Sequence, residues 1–253
     1  MAAGKDAELR VTRDSQRDWH RNIVSLRRST ELFADLVDDP HDIDVLVRHE
    51  MAVKQAYQEP AIIQRPFEDA ANYDAIAAAI RWPFEHPGHS RYSSGSFGVW
   101  YGAASIETSV RETVHHFRRN TLASAVAAQS TRPIVQERRV HLVRCNALLV
   151  DVRARTRKEP QLLHPEDYSY CQSLGRELRE AGMPGVLTWS ARQAKSEVVA
   201  VFTPSVLSEP RTVCYLTYKL FADSGKVIVE RSPGRTEWEL EPPASTPAID
   251  RTP

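Results

Sequence analysis

The sequence predicts an α+β fold with a mixed central β-sheet flanked by helices. Segments with helical periodicity come first, and several strand-like runs follow, interleaved with two further helices. A doubly wound parallel sheet would instead alternate strands and helices regularly. No GxGxxG follows a strand-like run, and no GxxxxGK[ST] occurs, so the sequence also argues against the Rossmann and P-loop architectures.

The length of 253 residues is enough for one large domain that buries its own core. Residues 1–17 alternate charged and small side chains without a period, and we expect a flexible lead there. Prolines and small polar residues dominate residues 232–253, which predicts a disordered tail. The folded domain is therefore expected to span residues 18–231.

The first half of the chain contains one predicted strand and two predicted helices. Trp19, His20 and Arg21 lead into the strand, which includes Ile23 and Val24. The first helix has its apolar positions on one face, at Ile43, Leu46, Val47 and Met51. The second has an apolar stripe from residue 73 to residue 80, and Pro83 is expected to prevent its continuation.

The second half is richer in strands. Residues 147–152 form an apolar run typical of a buried strand, and residues 153–166 have no period and predict a loop. A helix is predicted over residues 168–181, ended by Gly182. Four strand-like runs follow, at 186–190, 197–202, 213–221 and 226–230, and the last two could form a hairpin through Ser224 and Gly225.

Charge and cysteine content restrict the function classes. Lysine plus arginine and aspartate plus glutamate number 33 each, so no net field favours direct nucleic-acid binding or a membrane surface. The three cysteines lie far apart without CxxC spacing, which favours reduced thiols over disulfides or a zinc site. The charged N-terminus lacks the apolar centre of a signal peptide, and no apolar run of about 18 residues occurs. We therefore expect a cytoplasmic protein.

The stretch from residue 91 to residue 117 is the strongest candidate for a site. A Gly- and Ser-rich lead runs into an apolar-aromatic segment, residues 97–103, and a helical pattern opens at Ser105. Such a loop–strand–helix junction can place Arg91, Tyr101 and Glu112 around one cleft. The alternative, a buried strand and an amphipathic helix without chemistry, stays open on this stretch alone.

The helix after Ser105 separates apolar from polar residues. Its apolar stripe is Ile106, Val110, Val114 and Phe117. At roughly 100° per residue, Glu112 points about 150° away from that stripe. The second face, with Thr108, Ser109, His115 and His116, could line a cleft or be plain solvated surface. No HExxH accompanies the two histidines, and we expect no metal site.

Three residues have chemistry that suits a binding or catalytic site, but each signal is weak when taken alone. Arg91 is of the type that binds phosphate oxygens in pairs, although a single loop arginine is often solvent-exposed. Tyr101 ends an apolar strand, where packing with a bonded hydroxyl is the ordinary outcome. Ser190 ends the run GVLTWS without a GxSxG elbow, so it has little claim to be a nucleophile.

Together, these residues occur in an order that resembles a known family. The motifs are His20-Arg21, Arg91-Tyr92, Gly95, Trp100-Tyr101-Gly102-Ala103, Glu107-Thr108, Glu112-Thr113, Gly185 to Ser190-Ala191-Arg192, and Val199-Ala200-Val201-Phe202. This order is similar to the RES domain, named for its arginine, glutamate and serine, and it spans residues 21–218. Tyr92 stands where that family usually has phenylalanine, Trp189 where it has proline, and Asn22 where an apolar residue is usual.

The resemblance implies a toxin of a bacterial toxin–antitoxin pair with a fold similar to ADP-ribosyltransferase toxins. It implies an antitoxin partner that carries an Xre-type helix-turn-helix. The implied activity is NAD consumption, either by phosphorolysis or hydrolysis of the nicotinamide–ribose bond or by transfer of ADP-ribose to a protein. NAD is then a substrate, inorganic phosphate is a candidate co-substrate, and neither a cofactor nor a metal is expected.

The same resemblance implies roles for individual residues. Arg91 and Arg21 would hold the pyrophosphate or an incoming phosphate, and Tyr101 would pack against the nicotinamide end. Glu112 would bind the ribose and stabilise its growing positive charge. Ser190 would orient Glu112 or the ribose. Two further residues, Arg192 and Tyr92, are expected to contact the substrate.

A second hypothesis is a non-catalytic module whose cleft holds a nucleotide or the end of a partner's chain. A structural or DNA-binding role ranks third, and the balanced formal charge counts against DNA. The sequence leaves open which acceptor takes the ADP-ribose and whether the protein forms a homo-oligomer.

Overall fold

The computed structural model of the chain describes residues 11–25 and 70–243. The strands are β1 (Val11–Val24), β2 (His89–Ser90), β3 (Ser93–Ser94), β4 (Trp100–Ala103), β5 (Ile134–Asp151), β6 (Gly185–Trp189), β7 (Glu197–Val201), β8 (Leu207–Leu220), β9 (Val227–Ser232) and β10 (Arg235–Leu240). The α-helices are α1 (Ala70–Glu85), α2 (Ile106–Leu122), α3 (Ala125–Ala128) and α4 (Ser169–Glu180), and short 3₁₀ helices span Arg153–Arg157, Pro160–Leu163 and Pro204–Val206. The helix predicted around residues 43–51 lies outside the described residues.

Eight strands form one mixed sheet in the order β1-β4-β7-β6-β5-β8-β9-β10. β1 also pairs with β5, so five of these strands close into a ring. β5 and β6 run parallel, whereas the other paired neighbours are antiparallel. The predicted α+β class with a mixed sheet is confirmed.

Three apolar clusters hold the helices against the sheet. The first packs α4 against residues of β5, β6 and β7 and contains Tyr92 and Phe202. The second joins residues from all five strands of the ring, with Trp19 and Trp100 as its largest members, and α1 packs on it through Ile80 and Phe84. The third packs α2 against β5, β8 and β9. The sheet and α2 are thus fixed relative to each other by burial of apolar surface.

The second predicted helix continues past the proline that was expected to end it. α1 extends to Glu85 and contains Pro83. A proline has no N–H for the carbonyl four residues earlier, which here belongs to Ala79. The Trp100 indole Nε1 donates to that carbonyl at 2.9 Å, and the helical bond from His86 N–H to the Trp82 carbonyl forms beyond it. The prediction was wrong because a tertiary contact satisfies the freed carbonyl.

Strands occupy part of the predicted lead and part of the predicted tail. β1 begins at Val11, which pairs with Val150, and β10 occupies residues 235–240 of the segment predicted to be disordered. The segment has only a short apolar alternation, at Trp238 and Leu240, and the prolines around it led to the prediction of disorder. Leu240 is buried in the third cluster, and its carbonyl accepts a hydrogen bond from Arg118. Residues 1–10 and 244–253 lie outside the described part of the chain.

The remaining elements lie where the sequence predicts them, but some of the strands are longer than predicted. The runs at 147–152 and 213–221 belong to β5 and β8, which have 18 and 14 residues. Short 3₁₀ helices occur within the predicted loop. Gly182 follows α4 with φ 73°, and β8 pairs with β9 as the predicted hairpin, with Gly225 at φ 68° in the turn.

Candidate functional site

The structure brings Ser190 and Glu112 into direct contact. Ser190 follows β6 and Glu112 lies on α2, and the Ser190 Oγ donates a hydrogen bond to Glu112 Oε1 at 2.6 Å. Ser190 is only 6% exposed, and Glu112 is partly exposed. The two side chains therefore meet where the end of a strand adjoins one face of a helix.

α2 presents Glu112 because its apolar stripe faces the sheet. Ser105 is the N-cap and accepts from the Thr108 N–H at 3.1 Å. The residues of the predicted apolar stripe pack in the third cluster. This confirms the prediction that Glu112 points away from the core face of the helix. Ser109 does not line a cleft, because it is buried and within hydrogen-bonding distance of Asn22 on β1.

A turn after β6 sets the direction of the Ser190 hydroxyl. The backbone N–H groups of Arg192 and Gln193 both donate to Ser190 Oγ, each at 3.0 Å. A serine hydroxyl has one proton and two acceptor positions. With both acceptor positions filled, its proton goes to Glu112. The geometry suits a fixed donor and does not make Ser190 an activated nucleophile.

Tyr101 and Tyr92 have different environments. The Tyr101 hydroxyl donates to Ser90 Oγ at 3.1 Å and accepts from the Tyr92 backbone N–H at 3.0 Å. Burial raises the pKa of Tyr101 to about 12, so its phenol is neutral. The Tyr92 side chain is fully buried in the first cluster. Its predicted contact with substrate is wrong, because the ring has no exposed surface.

Arg91 and Arg192 are held by one loop. Arg91 Nη1 donates to the carbonyls of His164 at 2.9 Å and Leu162 at 3.3 Å, and its guanidinium lies 4.5 Å from the centre of the Tyr168 ring. Arg192 Nη2 donates to the Pro165 carbonyl. Within residues 11–25 and 70–243, neither arginine forms an ion pair with a carboxylate. Both positive charges therefore stay available to an anion that replaces the carbonyls.

The surroundings of His115 are electropositive. Its pKa is lowered to about 4 by burial and by the positive charges of Arg192, Arg119, Arg118 and Arg91. The imidazole is thus neutral at pH 7, and its buried Nε2 has no hydrogen-bond partner. His115 lies three residues after Glu112 on α2. This end of the site favours negatively charged groups.

Arg21 has different contacts from those of Arg91. Its guanidinium donates to the Tyr101 carbonyl at 3.2 Å and lies 5.7 Å from the centre of the Trp100 ring, and burial lowers its pKa to about 10. Successive residues of a strand point to opposite faces of the sheet. Since Arg21 lies over Trp100, it is on the face opposite the Tyr101 ring. The expected joint role of Arg21 and Arg91 at a phosphate stays a prediction, and Arg192 is the arginine that contacts the same loop as Arg91.

The sequence did not identify one bonded pair beside the site. Thr108 Oγ1 donates to Gln193 Oε1 at 2.8 Å, which connects α2 to the turn after Ser190. In the sequence, Thr108 belongs to a polar helix face without a further signal, and Gln193 has none beyond its place three residues after Ser190.

The described residues show no sign of two other kinds of site. Residues 11–25 and 70–243 contain no group of three or more histidine, cysteine, aspartate or glutamate side chains that could hold a metal ion. No helix in this part of the chain is long and apolar enough to cross a membrane. A cavity of about 410 Å³, lined by residues that include Glu137, Tyr215 and Arg231, shares no lining residue with the Glu112–Ser190 site.

A comparison with known protein families agrees with the motifs. The sequence model of the RES domain matches residues 62–220. A similar solved structure is the crystal structure of the M. tuberculosis MbcT–MbcA toxin–antitoxin complex, with a TM-score of 0.34 and 17% identity over 49% of this chain and 71% of that one. No curated protein matches the sequence.

Proposed function

The chain belongs to the RES domain family, and on this basis we propose that it is the toxin of a toxin–antitoxin pair that cleaves the nicotinamide–ribose bond of NAD. The observation that carries the proposal is the hydrogen bond from Ser190 to Glu112. It joins the serine and the glutamate of the family's motif at one point of the fold. The motif's arginine, Arg91, shares a loop with Arg192, which follows Ser190 in the chain.

The reaction breaks the bond between ribose C1′ and the nicotinamide nitrogen. Both bonding electrons leave with nicotinamide, and positive charge grows on the ribose until a nucleophile bonds to C1′. Glu112 is the negative group that stabilises this charge and binds the ribose. A carboxylate fixed in place before the reaction costs no reorganisation at the transition state. Ser190 keeps Glu112 in place by donating its only proton to it.

Arg91 and Arg192 bind the phosphate groups. Carbonyl oxygens of the loop at residues 162–165 now accept the guanidinium hydrogen bonds. A phosphate offers charged oxygens in their place, and charge-assisted bonds are roughly twice as strong as neutral ones. The imidazole of His115 is neutral at pH 7, so it neither attracts nor repels the charged groups of the substrate. The partly exposed ring of Tyr101 packs against the nicotinamide end.

The positive charges around His115, three residues after Glu112, favour phosphate as the group that attacks C1′, which makes the reaction a phosphorolysis. Hydrolysis uses the same site with water. Transfer of ADP-ribose to a protein is the alternative, and a non-catalytic nucleotide-binding module is a further one. NAD is a substrate in these reactions, and the proposal requires no cofactor. The partner is an antitoxin of the Xre type, and the site of action is the cytoplasm.

Product analysis tests the proposal. Purified protein is incubated with NAD, with and without inorganic phosphate, and the products are separated and identified. ADP-ribose with an additional phosphate on the ribose carbon that held nicotinamide indicates phosphorolysis, free ADP-ribose indicates hydrolysis, and labelled protein indicates transfer. Intact NAD under both conditions, with no labelled protein, contradicts the proposed enzyme. Thermal stabilisation by NAD without product would instead favour a binding module.

A further inference from the structure

We infer that Thr108 and Gln193 form a clamp that positions the Glu112–Ser190 pair, and that this clamp is a separate requirement for turnover. The inference rests on the proposed function for its activity measurements. Its structural basis is independent of any substrate, because it concerns how the turn after β6 is attached to α2. Both residues are positioning residues, since each acts through Ser190 and Glu112.

The clamp has two points of attachment along one face of α2. Thr108 and Glu112 are four residues apart, which places them on neighbouring turns of the same helix face. Thr108 contacts Gln193 at 2.8 Å, and Glu112 contacts Ser190 at 2.6 Å. The turn formed by residues 190–193 is therefore bonded to the helix at both of its ends.

The hydrogen bonds of the clamp have a defined direction. Ser105 Oγ accepts from the Thr108 backbone N–H and lies 2.8 Å from Thr108 Oγ1. When Ser105 donates to Thr108, the Thr108 hydroxyl is free to donate to Gln193 Oε1. The N-cap of α2 is thus the first member of a chain of hydrogen bonds, and Gln193 is the last. Thr108 is 1% exposed, so water does not replace a lost partner easily.

Gln193 transmits this attachment to the hydroxyl that contacts Glu112. Its side chain is bonded to Thr108, and its backbone N–H donates to Ser190 Oγ at 3.0 Å. Without the side-chain bond, the turn keeps the backbone bond from the Ser196 N–H to the Gln193 carbonyl but loses its attachment to Thr108. The N–H groups of Arg192 and Gln193 are then held less firmly towards Ser190. The Ser190 hydroxyl then has other acceptors available and loses its fixed direction towards Glu112. A displacement of about 1 Å at a reacting group can cost roughly 100-fold in rate.

The activity test uses substitutions that keep side-chain size. We expect Thr108→Val and Gln193→Met each to lower kcat for NAD cleavage about 10- to 100-fold, with KM changed less than about 2-fold. Thr108→Ser keeps the hydroxyl and should restore most of kcat. The double variant should be no worse than the poorer single variant, because both changes break the same bond. Ser109→Ala removes another buried hydroxyl of α2 that does not contact the turn, and should leave kcat unchanged.

A measurement without substrate separates this inference from the proposed function. Hydrogen exchange of the Arg192 and Gln193 backbone amides, followed by NMR, should be slow in the wild-type chain and in Thr108→Ser. It should be faster in Thr108→Val and Gln193→Met than their loss of global stability, measured by the melting temperature, accounts for. If Thr108→Val does not fold, the partly exposed Gln193 provides the decisive variant. Wild-type exchange in Gln193→Met overturns the inference, whether or not the protein cleaves NAD, and so does wild-type kcat in an active protein.

Discussion

Ser190 Oγ lies 2.6 Å from Glu112 Oε1, although 78 residues separate them in the sequence. The contact joins the end of β6 to the exposed side of α2. The serine can donate only to Glu112, since two backbone amides occupy its acceptor positions. The proposed activity depends on this fixed donor, and the following predictions test it and the elements around it.

Ser190→Ala removes the donor and leaves the Arg192 and Gln193 amides without their shared acceptor. Removing one fixed hydrogen bond of an active site typically costs about 100- to 1,000-fold in kcat, and we expect a loss in the lower part of that range because Glu112 remains. Steady-state NAD cleavage measures it. Ser196→Ala, in the same loop, is the control and should retain the wild-type rate. A wild-type kcat in Ser190→Ala would remove Ser190 from the mechanism.

Arg91→Lys and Arg192→Lys keep the positive charge but lose the planar guanidinium that binds two oxygens at once. We expect KM for NAD to rise about 10-fold or more in each variant, with a smaller change in kcat, since a phosphate contact contributes to binding before and during the reaction. Arg179→Lys is a matched control, because Arg179 also donates to a backbone carbonyl, that of Phe202. An unchanged KM in both site variants would contradict phosphate binding at this pair.

Because His141 is buried, we expect the folded protein to lose stability in mild acid. It is fully buried, and its pKa is lowered from 6.5 to about 4 by burial and by the charges of Arg139 and Arg21. Between these values the unfolded chain binds a proton that the native chain does not, so the free energy of unfolding falls as pH drops from 6.5 towards 4. One such group contributes at most about 1.4 kcal/mol per pH unit.

Urea unfolding at pH 7 and pH 5 measures this dependence. His141→Gln should reduce the difference between the two pH values, whatever its own stability is. The difference should not vanish, because the pKa values of His20 and His115 are lowered as well. An equal pH dependence in His141→Gln and the wild type would mean that His141 titrates at its ordinary pKa.

Gly175 allows α4 to approach the segment that leads into the site. A Cβ added at Gly175 would lie 2.1 Å from the Tyr92 carbonyl oxygen, so alanine forces the helix away from that segment. We expect Gly175→Ala to lower the free energy of unfolding by about 1–3 kcal/mol, measured by urea denaturation. Gly88→Ala is the control, since an added Cβ there meets nothing within 4 Å. Wild-type stability of Gly175→Ala would show that the helix adjusts at no cost.

Local patterns predicted the features that depend on a single element. The period of α2 placed Glu112 away from the core, and the strand-like runs identified β6 and β7. The contact between Ser190 and Glu112 depends on the order of strands in the sheet. Only the family resemblance predicted this contact. The contacts of Arg91 and Arg192 with one loop could not be predicted, because they depend on the path of residues 162–165. The Thr108–Gln193 bond likewise depends on the path of the turn after β6.

Nicotinamide release by the wild-type chain and by Glu112→Gln is the most direct test of the central claim. Glutamine keeps the size of the side chain and removes the negative charge, so the growing charge on the ribose is no longer stabilised. We predict steady release of nicotinamide by the wild type and a loss of at least about 1,000-fold in Glu112→Gln, with an unchanged melting temperature. Equal rates of release from the two proteins would contradict the account.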